Sequence, residues 1–126
     1  MVTVYVGVGA RRGVPAAEVL ELIERSLTEA GTAGLRPSAL ATVEAKASEA
    51  GLLEAAARLG VPLRSYGADA LSQVTVPGAS AAALAAVGTP AVAEAAALLA
   101  AGPGAVLAVG KRKSARATCA VAYGPA

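Results

Sequence analysis

The chain has 126 residues, enough for one domain with its own core, and a formal net charge of +2. It contains no His, a single Cys, and neither Trp nor Phe. These counts exclude a protein-built zinc or iron site, a Ser–His or Cys–His catalytic couple and a disulfide framework. We therefore predict no metal and no cofactor. With three Tyr there is little aromatic surface on which nucleic-acid bases could stack, which argues against a nucleic-acid partner.

The N-terminal residues do not resemble a signal peptide, because the charges of MVTVYVGVGARRG follow the apolar run. The most apolar stretch, residues 79–102, is interrupted by Gly88, Thr89 and Pro90 and carries Glu94. Neither half reaches the roughly 20 apolar residues that a membrane span needs. We predict two short helices there, and a cytoplasmic protein without a membrane segment.

Periodicity and turn residues predict the elements in chain order. Pro15 is tolerated in the first turn of a helix, and Gly31 ends that helix. The predicted elements are strand 2–8, helix 15–30, strand 38–43, helix 48–59, strand 61–66, a short helix 68–73, two helices between 80 and 102, and strands 105–109 and 117–123. This order predicts one α/β domain over residues 1–126. We expect a mostly parallel sheet of about five strands, helices on both faces, and a final hairpin closed by the loop 110–116.

Basic residues follow the predicted carboxyl ends of two strands, where ligands gather in open α/β sheets. If these strands are parallel neighbours, their loops share one edge of the sheet. Lys111 should then face the site, and Arg112 should point away. The N-terminus of the helix at Pro15 would add N–H groups, so the pattern predicts an anion site. Its cations are Arg11, Arg12, Lys111, Arg112, Lys113 and Arg116.

The loop GVGARRG at 7–13 also allows other interpretations. Its spacing is G-x-G-x-x-x-G, and Arg12 stands where the dinucleotide-binding fingerprint needs its third Gly. A nucleotide- or nucleic-acid-binding domain that uses the basic loops remains an alternative. The loop is also compatible with a simple glycine turn that carries two solvated arginines.

Two carboxylates, Glu94 and Glu44, are candidates for a functional role. Glu94 is the only charged residue of an apolar helix, so it either faces a ligand or occupies the helix's exposed edge. Thr42, Glu44 and Lys46 alternate and would share one face if their strand persists, although Glu44 and Lys46 could equally be a surface pair. Cys119 has no base beside it and is expected to be a core residue.

Four segments in order resemble the C-terminal domain of the CobE/CbiG family of cobalamin biosynthesis. The resemblance implies a corrin-precursor ligand rich in carboxylates, at the precorrin or cobalt-precorrin-5A stage. Larger CbiG-type members open the ring lactone of cobalt-precorrin-5A and release acetaldehyde, whereas CobE-like proteins are the short form, which this chain matches. The segments are GVGARRG at 7–13, LATVEAKASEAGLLEAA at 40–56, VGTPAVAEAAALLAAG at 87–102 and LAVGKRKSARATCAVA at 107–122.

The resemblance also implies residue roles, taken onto the matching positions. Glu44 or Glu94 would be the general base of a hydrolase. An enzyme and a carrier that binds without chemistry are both compatible with the family; we favour the carrier for this chain. Other enzymes of the pathway are possible partners. The implied ligand-binding residues are Gly9, Arg11, Arg12, Gly13, Thr42, Lys46, Thr89, Lys111 and Lys113.

Overall fold

The structure is a computed structural model, and it describes residues 3–32, 36–74 and 92–124. Strands and helices alternate through the first part of the chain, and two strands in succession end it. The described elements are β1 Thr3–Ala10, α1 Ala16–Glu29, β2 Ala39–Val43, α2 Ala50–Leu59, β3 Leu63–Tyr66, α3 Ala68–Ser72, α4 Val92–Ala101, β4 Val106–Lys113 and β5 Ala117–Gly124.

The strands form one five-stranded sheet in the order β3-β2-β1-β5-β4. β1, β2 and β3 pair in parallel, whereas β5 is antiparallel to both of its neighbours, β1 and β4. β4 therefore runs in the same direction as β1, and only β5 opposes the other four strands. The predicted α/β fold, with a mostly parallel sheet and a terminal hairpin, is confirmed.

Helices cover both faces of the sheet, as predicted. On one face, apolar side chains of α1 and α2, among them Leu22 and Leu52, pack on the β1 valines. On the other face, alanines of α4 and Leu71 of α3 pack on Ala41 and Tyr5. Among the described residues, none of the helices has both the length and the apolar character that crossing a membrane requires.

Helix α4 lies against the backbone of β1. A Cβ built on Gly7 would lie 1.8 Å from the carbonyl oxygen of Ala93 and 2.8 Å from the backbone nitrogen of Ala97. Alanine side chains on the helix and glycine on the strand leave nothing between the two backbones. This close approach fixes the first turn of α4 beside the carboxyl end of β1.

Two predicted boundaries were wrong in ways that matter for the site. The pairing of β4 with β5 continues to Lys113, so the three basic residues 111–113 lie in a strand, and the turn contains only residues 114–116. β2 ends at Val43, and Glu44–Lys46 form a short 3₁₀ turn that breaks the expected alternation. The predicted helix around residues 80–88 lies outside the described residues.

Candidate functional site: a basic groove at the carboxyl edge of the sheet

An open groove of about 320 Å³ lies at the edge where β1 and β4 both end. The direction of β4 brings its last residues to the same edge as the loop after β1. The two strands run in parallel, as the sequence-based condition required, but they are not neighbours, because β5 lies between them. We call this site the basic groove; it is lined by residues 9–11, 111 and 113–118.

The floor of the basic groove is a row of three positions on neighbouring strands. Gly9 of β1 and Lys113 of β4 are both register partners of Thr118 on β5, the strand between them. A Cβ on Gly9 would point toward the Thr118 hydroxyl, 2.7 Å away, so both positions face the same side of the sheet. Gly7, two residues earlier in β1, faces α4, which places the groove on the α4 side of the sheet.

Four cations line the groove, and all four residues are exposed. The backbone N–H of Arg11 donates to the carbonyl of Arg116 at 2.8 Å, which extends the β1–β5 pairing by one step. Lys111 and Lys113 extend from β4, which lies on the opposite side of β5 from Arg11. Arg112 is not among the lining residues; its Nε lies 2.6 Å from a carboxylate oxygen of Glu29 on α1. Arg12 does not line the groove either.

Glu18 of α1 organises the turn between β4 and β5. Its carboxylate accepts hydrogen bonds from the Ser114 hydroxyl (2.5 Å), the Arg116 backbone N–H (2.6 Å) and the Arg116 Nε (3.0 Å). The bond from the Ser114 hydroxyl, followed by that from the Arg116 N–H, holds the pKa of Glu18 below its ordinary value. These partners are almost 100 residues away along the chain, so no local sequence pattern predicts this role for Glu18.

A second carboxylate contacts the loop that precedes α1. The backbone N–H of Gly13 donates to a carboxylate oxygen of Glu49 at 2.7 Å. Gly13 has a φ of +81°, a conformation that favours glycine, so the turn itself explains this residue. The protein's own carboxylate thus occupies the Gly13 N–H, and a ligand-binding role for Gly13 stays a prediction.

Glu94 lies beside the groove but outside its lining. One carboxylate oxygen accepts a hydrogen bond from the backbone N–H of Lys111 at 3.1 Å, where the pairing of β4 with β5 is irregular. Glu94 is half-buried, so it does not occupy a fully exposed edge of the helix. In this position its hydrogen bond connects α4 to β4, the strand that carries Lys111 and Lys113.

The residues predicted at the end of β2 lie away from the groove. Ala41 and Val43 pack toward α4 whereas Leu40 packs toward α1 and α2, so by alternation Thr42 also points to the α1 side, opposite the groove. Its hydroxyl is fully buried and has no hydrogen-bond partner among the described residues. Glu44 and Lys46 lie in the 3₁₀ turn and do not line the groove. Thr89 lies outside the described residues.

The described ranges contain no cluster of three side chains able to bind a metal ion. Burial raises the pKa of Cys119 to about 11, although a hydrogen bond with Ser26 acts in the opposite direction. The thiol is therefore protonated at neutral pH and fills space in the core, as predicted.

The chain is similar to known proteins over nearly its whole length. Residues 4–122 match the family described as "Cobalamin synthesis G C-terminus". The chain belongs to this family. The CobE protein of Sinorhizobium sp. is 43% identical over 124 residues, which cover 95% of this chain and 79% of that protein. The family resemblance inferred from the sequence is confirmed, and with it a place among the proteins of cobalamin biosynthesis.

A longer member of the family is also related. The cobalt-precorrin-5A hydrolase of Priestia megaterium is 34% identical over 120 residues, and the match spans 95% of this chain but only 32% of that enzyme. Among solved structures, CobE from the cobalamin biosynthetic pathway superimposes with a TM-score of 0.79 at 35% identity, covering 97% of this chain and 93% of CobE. The CobE/CbiG fold thus accounts for nearly the whole chain.

Proposed function

We propose that this chain binds a corrin precursor by its peripheral carboxylates in the basic groove, and holds the intermediate without transforming it. The observation that carries the proposal is the convergence of Arg11, Lys111, Lys113 and Arg116 on one open groove. Corrin precursors of cobalamin biosynthesis carry acetate and propionate groups around the ring. Arg and Lys bind such carboxylates by charge-assisted hydrogen bonds.

The shape of the site supports a ligand that is held by the substituents at the edge of its ring. A groove of about 320 Å³ is at the lower end of the range for small-molecule sites, and it is open to solvent. It would receive one or two ring substituents while the macrocycle lies across its mouth. None of the lining residues in the described ranges is aromatic, which weighs against the alternative of a nucleotide or nucleic-acid ligand.

The carboxylates near the groove support binding without hydrolysis. A general base must reach the proton of the attacking water. Glu94 accepts a hydrogen bond from the Lys111 N–H, Glu18 accepts three hydrogen bonds from the β4–β5 turn, and Glu44 does not line the groove. The relative named as a hydrolase is about three times as long as the matched region, so its activity is not transferred to this chain.

The experiment compares cobyrinic acid, whose ring substituents are free carboxylates, with its fully methylated ester. Titration followed by corrin absorbance should show binding of the acid, weakening with added salt, and none of the ester. Lys111→Ala with Lys113→Ala should weaken binding roughly a hundredfold, since each lysine would lose a hydrogen bond to a charged group. The control pair Arg25→Ala with Arg36→Ala removes the same charge from exposed positions outside the groove and should change affinity by less than about threefold.

Two results would contradict the proposal. Equal binding of acid and ester would show that carboxylates are not what the groove recognises. Multiple-turnover release of acetaldehyde from the lactone-containing precursor would show that the chain is an enzyme. In that case Glu44→Gln and Glu94→Gln would identify the base.

A further inference from the structure

The floor of the basic groove carries a hydroxyl group that the proposed function has not used. Thr118 is half-buried on β5, and its hydroxyl makes no hydrogen bond to any residue of the described ranges. The Ser114 hydroxyl in the same groove already has partners, since it donates to Glu18 and accepts from the Ala117 N–H at 3.1 Å. The Thr118 hydroxyl therefore takes no part in the hydrogen bonds of the turn and can bind a ligand.

Lys113 lies next to Thr118 on the same face. The two residues are register partners of an antiparallel pair, and such partners have Cβ atoms about 5 Å apart. The hydroxyl donates one hydrogen bond in a defined direction, and the ammonium group supplies charge on a flexible stem. One carboxylate has two oxygens and can accept from both.

The proposal rests on the proposed function. We infer that Thr118 is a specificity-determining residue of the basic groove, and that its hydroxyl and the Lys113 ammonium together bind one carboxylate of the ligand. The lysine attracts any anion, whereas the hydroxyl selects a group positioned at the floor. The class of ligand recognised is a carboxylate on a short arm, such as an acetate or propionate substituent, that reaches the sheet surface.

Gly9 supports this assignment. Its φ lies outside the positive range, so the backbone conformation does not require glycine at this position. The space does: a Cβ would lie 2.7 Å from the Thr118 hydroxyl oxygen, closer than real contacts allow. A Cβ at residue 9 would displace the hydroxyl from this position. Glycine here keeps the hydroxyl accessible.

The test uses the full chain and cobyrinic acid as the probe. Thr118→Val keeps the β-branched shape that suits a strand and removes only the hydroxyl, so affinity should fall about tenfold to a hundredfold with Tm nearly unchanged. Thr118→Ser restores a hydroxyl and should bind within a fewfold of the wild type. The control Thr28→Val removes an exposed helix hydroxyl, bonded to Glu24, and should leave affinity unchanged.

The outcomes separate this inference from the function on which it rests. If the wild type does not bind cobyrinic acid, the proposed function fails. If the wild type binds and Thr118→Val binds equally well, the function stands and the role of Thr118 is refuted. Gly9→Ala should weaken binding in the wild type but have little further effect in a Thr118→Ala background, because the clash is then gone. Additive effects would contradict the role given to Gly9.

Discussion

Substituting Gly7 by alanine should damage the packing of α4 on the sheet. The added Cβ would lie 1.8 Å from the carbonyl oxygen of Ala93, and ordinary van der Waals contact begins at 3.4 Å. The obstacle is backbone, so no side-chain rotation relieves it and the first turn of α4 must move. Forcing an extra methyl group into a packed region typically costs 1–3 kcal/mol, and a backbone clash of this depth belongs at the upper end, about 3 kcal/mol.

Thermal unfolding followed by circular dichroism measures this cost. A domain of this size loses about 4 °C in Tm per kcal/mol, so Gly7→Ala should unfold about 12 °C below the wild type. Gly110→Ala is the matched control: it is also a strand glycine facing α4, but its Cβ would meet only the end of the Glu94 side chain, at 3.0 Å. That carboxylate can move, so the control should change Tm by less than about 4 °C. Equal Tm values for the two variants would refute the close approach of α4 to β1.

Two further predictions concern the cations and the turn. Lys111→Ala should lower affinity for cobyrinic acid about tenfold. Arg112→Ala removes an exposed pair with Glu29 and two hydrogen bonds to the carbonyls of Gly110 and Lys111, so it should leave affinity unchanged and cost about 1 kcal/mol of stability. The reverse order of the two affinities would place the ligand on the α1 side of β4. Glu18→Gln should destabilise the chain most above pH 4.5, the ordinary pKa of this carboxyl group. Folding lowers the pKa of Glu18, so the ionised carboxylate stabilises the folded chain above that pH, and this stabilisation disappears as the pH falls through the folded-state pKa. Chemical denaturation at several pH values tests this: a stability gap that does not narrow in acid would contradict the role of the ionised carboxylate.

Much of the fold could be predicted because its signals are local. The valines of β1, the amphipathic spacing of α1 and the glycines that end helices each act within a few residues. The hairpin boundary was missed because Lys111, Arg112 and Lys113 are unusual in a strand. They are tolerated there since β4 is an edge strand, whose charged side chains reach solvent and discourage pairing with other chains.

The sequence by itself determined the chemical inventory of the site: several cations near the ends of two strands, no His, and a glycine-rich loop. It also predicted that the loops after β1 and β4 share an edge, on the condition that the two strands are parallel neighbours. What it could not determine was which charges remain available to a ligand. That depends on partners far apart in the chain, and a local pattern contains no signal for them.

Only the tertiary structure decided those partners. Glu49 meets Gly13 across 36 residues, Glu94 meets Lys111 across 17, and Glu18 meets Arg116 across 98. The same holds for Thr118, whose place between Gly9 and Lys113 exists because β5 inserts between β1 and β4. Strand order is set by how the whole sheet buries its two apolar faces, so the floor of the groove emerges only when the sheet is complete.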